Sequence, residues 1–244
     1  MQRPIRIGTR GSDLALAQAN TVASLLAKAH HIEEGALEIV PIKTSGDRLQ
    51  EQRLSEVGGK GLFTKEIEEA LYDKRIDLAV HSMKDMPTEL PPGLIIDCVL
   101  EREDPRDAFI SPDARSIETL PKGAKFGTSS LRRAAQILAQ RPDLEIVQFR
   151  GNVGTRLKKL EDGVASATLL AMAGLNRLGM PEVATDPVPV EKMIPAVAQG
   201  VVGIERRVED EEIAHILSPI HHVETAIVMA AERTFLAALD GSCR

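Results

Sequence analysis

Residues 124–173 read AKFGTSSLRRAAQILAQRPDLEIVQFRGNVGTRLKKLEDGVASATLLAMA, and this stretch decides the fold class. Short apolar runs bounded by turn residues predict strands, and the longer segments after those turns predict helices. In chain order the predicted elements are Ala124–Gly127, Leu131–Arg141, Ile146–Phe149, Thr155–Asp162 and Ser166–Ala173. Strands that alternate with helices are typical of α/β folds with mostly parallel sheets, which bind ligands at the carboxyl ends of their strands.

The same alternation occurs on both sides of this stretch. A strand at Ile5–Ile7 precedes a long helix, and Ile76–Val80 is a short apolar strand. The charged segment Glu101–Asp107 interrupts the pattern, which predicts a crossover between two lobes. Further along, Pro187–Pro195 is predicted to be irregular, and Val197–Glu205 is predicted to be a strand that returns the chain to the first lobe.

The composition excludes several classes of protein. Of the 244 residues, 43% are hydrophobic and 27% are charged, which fits a folded globular chain and excludes a collagen-like or disordered one. A formal net charge of −6 argues against general nucleic-acid binding, and an aromatic content of 2% leaves few side chains for base stacking. No apolar run approaches the about 20 residues that span a bilayer, and the N-terminus lacks a signal-peptide pattern.

The two cysteines, Cys98 and Cys243, form neither a disulfide framework nor a zinc-binding spacing, which indicates a reduced, cytoplasmic compartment. Cys98 lies in an apolar strand and is predicted to pack in the core. Cys243 follows the last helix, whose negative end does not favour a thiolate. This position suits a thiol that reacts once, as an anchor, better than a nucleophile that reacts in every turnover. The alternative is an inert thiol. No group of residues has metal-ligand spacing, so no metal site is predicted.

Basic residues concentrate in turns that follow predicted strands. Residues 125–160 hold eight Lys or Arg and two acidic residues, a net charge of +6 within an acidic chain. Thr128–Ser130 before Arg132 and Arg133 combines hydroxyls, free N–H groups and guanidinium groups at a helix start, which predicts an anion site. The alternative is that these arginines are solvated surface charges.

Asp85 is a candidate catalytic carboxylate. It follows a buried strand, stands beside Lys84 and precedes Pro87, which favours an extended turn. A carboxylate that stays ionised among cations can stabilise a developing positive charge or move a proton. The alternative is a turn-forming aspartate or a surface ion pair.

Six short motifs occur in order along the chain: Val57–Phe63 (VGGKGLF), His81–Asp85 (HSMKD), Glu101–Asp107 (EREDPRD), Gly127–Arg133 (GTSSLRR), Arg150–Arg156 (RGNVGTR) and Gly241–Cys243 (GSC). Together they closely resemble the motifs of the porphobilinogen deaminase family, also called hydroxymethylbilane synthases. The resemblance runs from about Ile5 to Cys243, and six motifs in one order are far more specific than any single one.

This resemblance implies a transferase of porphyrin (tetrapyrrole, heme) biosynthesis. The family condenses four molecules of the small substrate porphobilinogen head to tail, with loss of ammonia, into hydroxymethylbilane. A dipyrromethane cofactor hangs from a cysteine by a thioether, which implies attachment at Cys243, and the aspartate that stabilises pyrrole cations and assists proton transfer is implied to be Asp85. We expect a cytoplasmic monomer that binds neither nucleic acid nor membranes. The alternative is a catalytically silent bilobal anion-binding module or an inactive fragment.

The resemblance also implies roles for other residues. Cofactor binding is implied for Arg10, Ser12, Lys84, Asp85, Thr128, Ser129, Ser130, Arg132, Arg133, Arg150, Gly151 and Cys243. Substrate binding is implied for Arg10, Lys60, Arg150, Arg156, Arg177 and Gln199, with Lys60 in a flexible loop over the site.

The implied fold is α/β, with two lobes similar to periplasmic binding proteins, each a mixed, mostly parallel sheet with flanking helices. We expect lobe 1 at residues 1–100 and 200–218, and lobe 2 at residues 101–199. Residues 219–244 are expected to be the first helix of a third, cofactor-carrying domain, because the family's chains continue beyond the cysteine and this sequence ends at Arg244. The chain is then expected to be a fragment, a truncated form or a natural variant.

Overall fold

The computed structural model describes residues 3–48 and 63–239, and the chain divides into two compact units. Unit 1 comprises Met1–Glu103 and Gly200–Arg244, and unit 2 comprises Asp104–Gln199. The described part of the C-terminal segment, residues 219–239, groups with unit 1, and the assignment of residues 219–244 to a third domain stays a prediction.

Strands and helices alternate along both units. In chain order the described strands are β1 (Ile5–Arg10), β2 (Leu37–Ile42), β3 (Leu78–Ser82), β4 (Leu94–Val99), β5 (Asp107–Ile110), β6 (Lys125–Gly127), β7 (Glu145–Val147), β8 (Ala167–Ala171), β9 (Asp186–Val188) and β10 (Val202–Arg207). The described α-helices are α1 (Asp13–His30), α2 (Ser45–Arg48), α3 (Lys65–Tyr72), α4 (Leu131–Gln140), α5 (Val153–Glu161), α6 (Met172–Arg177), α7 (Glu211–Leu217) and α8 (Val223–Ala238). None of these helices has both the length and the apolar character that crossing a membrane requires.

Unit 1 is built on a five-stranded sheet in the order β2-β1-β3-β10-β4. Strand β10 is antiparallel to both of its neighbours, and the other neighbouring pairs are parallel. Apolar side chains of α1 and α7, such as Val22 and Ile216, pack with Leu78 and Ile204 in one core cluster. Helix α3 packs with Ile76 and Ala79 in a second cluster, so the sheet carries helices on both faces.

Unit 2 repeats this plan with a sheet in the order β7-β6-β8-β5-β9, in which β5 is the reversed strand. Ile137 of α4 packs in one core cluster with Phe109 and Phe126, while α5 and α6 contribute to another cluster around Phe149 and Leu170. Two mixed, mostly parallel sheets with flanking helices confirm the predicted α/β class.

One predicted loop is partly a strand. The segment Pro187–Pro195 was expected to be irregular, yet Asp186–Val188 forms β9 and pairs with β5. Pro187 lies opposite Ala108 on the outer strand of the sheet, where a proline is tolerated because one side of an edge strand needs no N–H donor. The proline therefore marked an edge strand and not an interruption.

Gly200→Ala is expected to lower the free energy of unfolding by about 3 kcal/mol, because a methyl group there meets backbone. Gly200 has φ +91°, and an added Cβ would lie 2.3 Å from the carbonyl oxygen of Glu103. Gly123→Ala is the matched control, since Gly123 has φ +73° with open space around it and should lose only about 1 kcal/mol. Urea unfolding measures both, and equal losses would contradict the close approach.

Candidate functional site

In unit 2 the turns that carry predicted site residues lie at one edge of the sheet. Strands β7 and β8 are both parallel to β6, so the three strands end at the same edge. Strand β5 is antiparallel to β8 and begins at that edge, because Asp107 pairs with Ala171, the last residue of β8. The sheet topology therefore brings the carboxylate of Asp107 to the turn after β6 and to the start of α4.

Asp107 is the centre of a buried group that we call the arginine–aspartate cluster, formed by Asp107, Arg132, Arg133 and Gln199. Arg132 Nη2 donates to Asp107 Oδ2 at 2.7 Å, and Arg133 Nη2 donates to Asp107 Oδ1 at 2.7 Å. Gln199 Nε2 adds a third hydrogen bond to Oδ1 at 2.9 Å. The Asp107 side chain is fully buried, so one carboxylate joins two guanidinium groups and an amide inside the unit.

These contacts bear on the alternative that the two arginines are solvated surface charges. Arg133 is 6% exposed, so it is not a solvated surface charge, and its Nε is buried without a hydrogen-bond partner among the described residues. The side chain of Arg132 is 23% exposed, and its Nη1 donates to the carbonyl of Ile194. The structure therefore brings Arg132, Arg133 and Gln199 together around an internal carboxylate, Asp107, and their roles in ligand binding stay predictions.

The charge of Asp107 is fixed by its neighbours. Burial by itself would raise the pKa of Asp107, but Arg133, Arg132 and Gln199 together lower it to about 2. The folded-state pKa therefore lies below the ordinary value of about 3.9 for an unfolded chain. Ionised Asp107 contributes stability above about pH 4, and this contribution is lost as the pH falls toward 2.

We expect about 2 kcal/mol of the free energy of unfolding to disappear over this pH range through Asp107. The measurement is an NMR titration of the aspartate carboxyl carbons, in which one resonance should have a midpoint near pH 2. That resonance should be missing from the spectrum of Asp107→Asn. A midpoint near pH 4 for Asp107 would contradict the buried ion pairs.

The hydroxyl groups before α4 shape the turn that presents the arginines. Ser130 is the N-cap of α4 and accepts a hydrogen bond from Arg133 N, while Thr128 Oγ1 accepts one from Ser130 N at 3.1 Å. Ser129 Oγ accepts from Phe149 N at 3.0 Å and so ties this turn to the turn after β7. Each hydroxyl accepts from the backbone and keeps its own O–H as a donor.

The turn after β7 holds Arg150 and Gly151. Gly151 has φ +119°, and a Cβ there would lie 2.6 Å from Thr155, so this turn requires glycine. Arg156 Nε donates to the Gly151 carbonyl at 2.9 Å, which makes part of Arg156 a brace for the turn. Arg177 is the last residue of α6, and Arg150, Arg156 and Arg177 are all half-buried.

Unit 1 assembles a second group at the carboxyl edge of its own sheet. Strands β1 and β3 are parallel with Gly8 opposite Ala79, so the residues that follow them share one edge. Arg10 ends β1 and places its guanidinium 4.3 Å from the centroid of the Phe63 ring. Lys84 and Asp85 lie in a single 3₁₀ turn directly after β3, and both are half-buried. Ser12 caps α1 and accepts from Ala15 N.

Two further contacts at this edge were missed by the sequence analysis. Gln18 of α1 is buried and its Nε2 donates to Ser82 Oγ at 2.9 Å, three residues before Asp85. His81 Nε2 lies 2.8 Å from Glu205 Oε2, and both side chains are buried. A glutamine within a helix and a glutamate within a buried strand give no local signal. Their contacts depend on the tertiary fold, in which α1 packs against β3 and β10 pairs with β3.

The remaining predicted residues need separate statements. Lys60 and Cys243 lie outside the described residues. Cys98 is buried as predicted, and burial raises the pKa of its thiol to about 12. Within residues 3–48 and 63–239 there is no group of three or more His, Cys, Asp or Glu side chains that could hold a metal ion.

Sequence comparisons identify close relatives. A family model described as "Porphobilinogen deaminase, dipyromethane cofactor binding domain" matches residues 5–215. The chain is 60% identical over 243 residues to porphobilinogen deaminase of Paracoccus denitrificans (strain Pd 1222), covering 100% of this chain and 78% of that protein. It is 56% identical over 242 residues to the chloroplastic porphobilinogen deaminase of Oryza sativa subsp. japonica, covering 98% of this chain and 68% of that protein.

Structural comparison shows the fold. The methionine-binding protein MetQ is similar with a TM-score of 0.52 at 12% identity, over 94% of this chain and 95% of that one. A periplasmic substrate-binding protein of an ABC transporter from Coxiella burnetii is similar with a TM-score of 0.50 at 12% identity, over 98% of each chain. These likenesses confirm the predicted similarity to periplasmic binding proteins in fold alone.

Proposed function

Since the chain belongs to the porphobilinogen deaminase (hydroxymethylbilane synthase) family of cofactor-carrying transferases, we propose that it condenses four porphobilinogen molecules head to tail, with loss of ammonia, into hydroxymethylbilane. The family match covers the dipyrromethane cofactor binding domain, and we propose that the cofactor is attached at Cys243. The single observation that carries the proposal is the placement of Arg132 and Arg133 in the first turn of α4, directly after the hydroxyl-bearing turn at Thr128–Ser130.

The donor set of unit 2 fits a group that carries several carboxylates. Each pyrrole unit of a dipyrromethane bears two acidic side chains, which need cationic and N–H or O–H donors. Thr128, Ser129 and Ser130 offer hydroxyl donors at the N-terminus of α4, and the buried Arg133 Nε has no partner among the described residues. When bound, the dipyrromethane supplies the nucleophilic pyrrole carbon to which substrate is added.

We propose that the arginines bind and orient. Arg132 and Arg133 hold acetate and propionate groups of the cofactor, with Arg10, Ser12, Lys84, Arg150 and Gly151 in the same role. The acetate and propionate groups of the substrate are held by Arg10, Lys60, Arg150, Arg156, Arg177 and Gln199. Several guanidinium groups that hold an acidic ligand keep the two reacting groups close together, which lowers the entropic cost of the addition.

We propose that Asp85 is the catalytic carboxylate. Loss of ammonia from porphobilinogen leaves an electron-poor methylene-pyrrolenine, which needs little activation of the attacking carbon. The protein therefore mainly stabilises positive charge on the pyrrole nitrogen and removes a proton after the new bond forms. The backbone that carries Asp85 is held in place, because Met83 N in the same 3₁₀ turn donates a hydrogen bond to the carbonyl of Val201, the residue before β10.

The test is incubation of the purified chain with porphobilinogen, followed by assays for released ammonia and for a linear tetrapyrrole. Ammonia and hydroxymethylbilane are expected in a ratio of four to one, which follows from the proposed stoichiometry. Reversible binding of porphobilinogen without ammonia release would overturn the proposal and favour an anion-binding module. We further propose that the chain is a cytoplasmic monomer that binds porphobilinogen and neither nucleic acid nor membranes. Size-exclusion chromatography with light scattering tests the monomeric state.

A further inference from the structure

The arginine–aspartate cluster contains a carboxylate of its own, Asp107, which a site that only binds carboxylates would not need. Its two guanidinium groups carry a charge of +2, and Asp107 reduces the cluster to +1. Asp107 is fully buried and contacts both guanidinium groups at 2.7 Å, so it occupies positions that an acidic ligand would otherwise take. Either Asp107 is only a structural ion pair, or its charge also sets how strongly the cluster attracts carboxylates.

The placement of Asp107 favours the second role. Arg132 and Arg133 are adjacent residues in the first turn of α4, where two cations oppose the positive end of the helix. If Arg132 and Arg133 only formed a structural ion pair, a position near a helix C-terminus would stabilise them better, because that end of a helix is negative. Asp107 comes from β5 and reaches the pair because β5 is antiparallel to β8, so a separate element supplies the counter-charge.

We propose that Asp107 is the built-in counter-ion of Arg132 and Arg133, a positioning residue that fixes both guanidinium groups and limits the affinity of unit 2 for carboxylates. This inference rests on the proposed function, in which these arginines hold acidic side chains. A chain that gains two carboxylates with each added unit would bind ever more tightly to an uncompensated arginine pair. Because Asp107 competes with the ligand's carboxylates for the two guanidinium groups, the growing ligand is bound less tightly and can still move.

The experiment is a series of variants that changes the charge of the cluster in single steps. Asp107→Asn raises it to +2, Arg133→Gln lowers it to 0, and the double variant Asp107→Asn/Arg133→Gln restores +1. All chains, including the reference with the wild-type cluster, carry Cys243→Ser, so that no cofactor occupies Arg132 and Arg133. Two probes are compared in equilibrium titrations: a porphobilinogen analogue with methyl in place of aminomethyl, which cannot release ammonia, and its uncharged dicarboxamide. The ratio of their dissociation constants gives the preference for acid over amide.

The preference is expected to follow the cluster's charge. It should rise roughly tenfold in Asp107→Asn and fall roughly tenfold in Arg133→Gln, as expected for one unit charge several ångströms from a carboxylate. The double variant should return to within about threefold of the wild type. Asp143→Asn is the matched control, because Asp143 pairs with Arg141 at the other end of α4, and it should leave the preference unchanged.

The double variant keeps the inference testable if Asp107→Asn alone does not fold, since it leaves no uncompensated guanidinium at residue 133. Its preference should then exceed that of Arg133→Gln by roughly tenfold. A purely structural Asp107 predicts the opposite, because loss of positioning lowers the preference further, and that result would overturn the inference. If the wild type does not prefer the acid and Arg133→Gln equals it, the proposed carboxylate-binding function fails as well.

Discussion

Asp85→Asn is expected to reduce turnover by about 10³-fold while leaving the fold and the binding of porphobilinogen unchanged. Asparagine has nearly the same shape as aspartate, so the 3₁₀ turn at Met83–Asp85 should persist. The amide can neither carry a negative charge opposite a pyrrole cation nor accept a proton at Oδ. The effect should therefore be in kcat, with KM for porphobilinogen changed by less than about threefold.

Steady-state assays of ammonia release together with urea unfolding separate the two effects. Asp73→Asn is the matched control in the same unit, because Asp73 is an exposed aspartate at the end of α3. It should retain wild-type kcat. Wild-type turnover by Asp85→Asn would remove this residue from the catalytic role, whereas a higher KM with unchanged kcat would make it a binding residue.

Much of unit 2 was predictable because its signals are local. The turn residues and apolar runs of residues 124–173 placed β6, α4, β7, α5 and β8 within two residues of their observed ends. Ser130 lies at the predicted helix start and is the N-cap of α4. The basic residues in those turns were found for the same reason.

The contacts that organise the site depend on long-range pairing. Asp107 meets Arg132 across 25 positions and Gln199 across 92 positions, and only the antiparallel pairing of β5 with β8 joins them. The segment Glu101–Asp107 contains the boundary between the two units, as predicted for a crossover, and its last residue is also the first residue of β5. A lone aspartate before Ala108 and Phe109 reveals nothing about its partners until the strand order is known.

Cys243→Ser is expected to abolish turnover, because a serine hydroxyl is far less nucleophilic than a thiol and should not form the link to the cofactor. Intact mass spectrometry should find two pyrrole units on the wild-type chain and an unmodified mass for the variant. Cys98 is no substitute for Cys243, because burial raises the pKa of its thiol to about 12 and leaves it protonated at neutral pH.

Cys98→Ala is therefore the matched control for Cys243→Ser, and it should keep both the adduct and the turnover. It removes one small buried side chain, at a cost of about 1 kcal/mol in the free energy of unfolding. Tryptic mapping of the wild type should place the adduct on the peptide that contains Cys243. An active wild-type preparation with an unmodified Cys243 thiol would show that the reaction does not depend on this anchor. An adduct on Cys243→Ser would instead move the attachment to another residue.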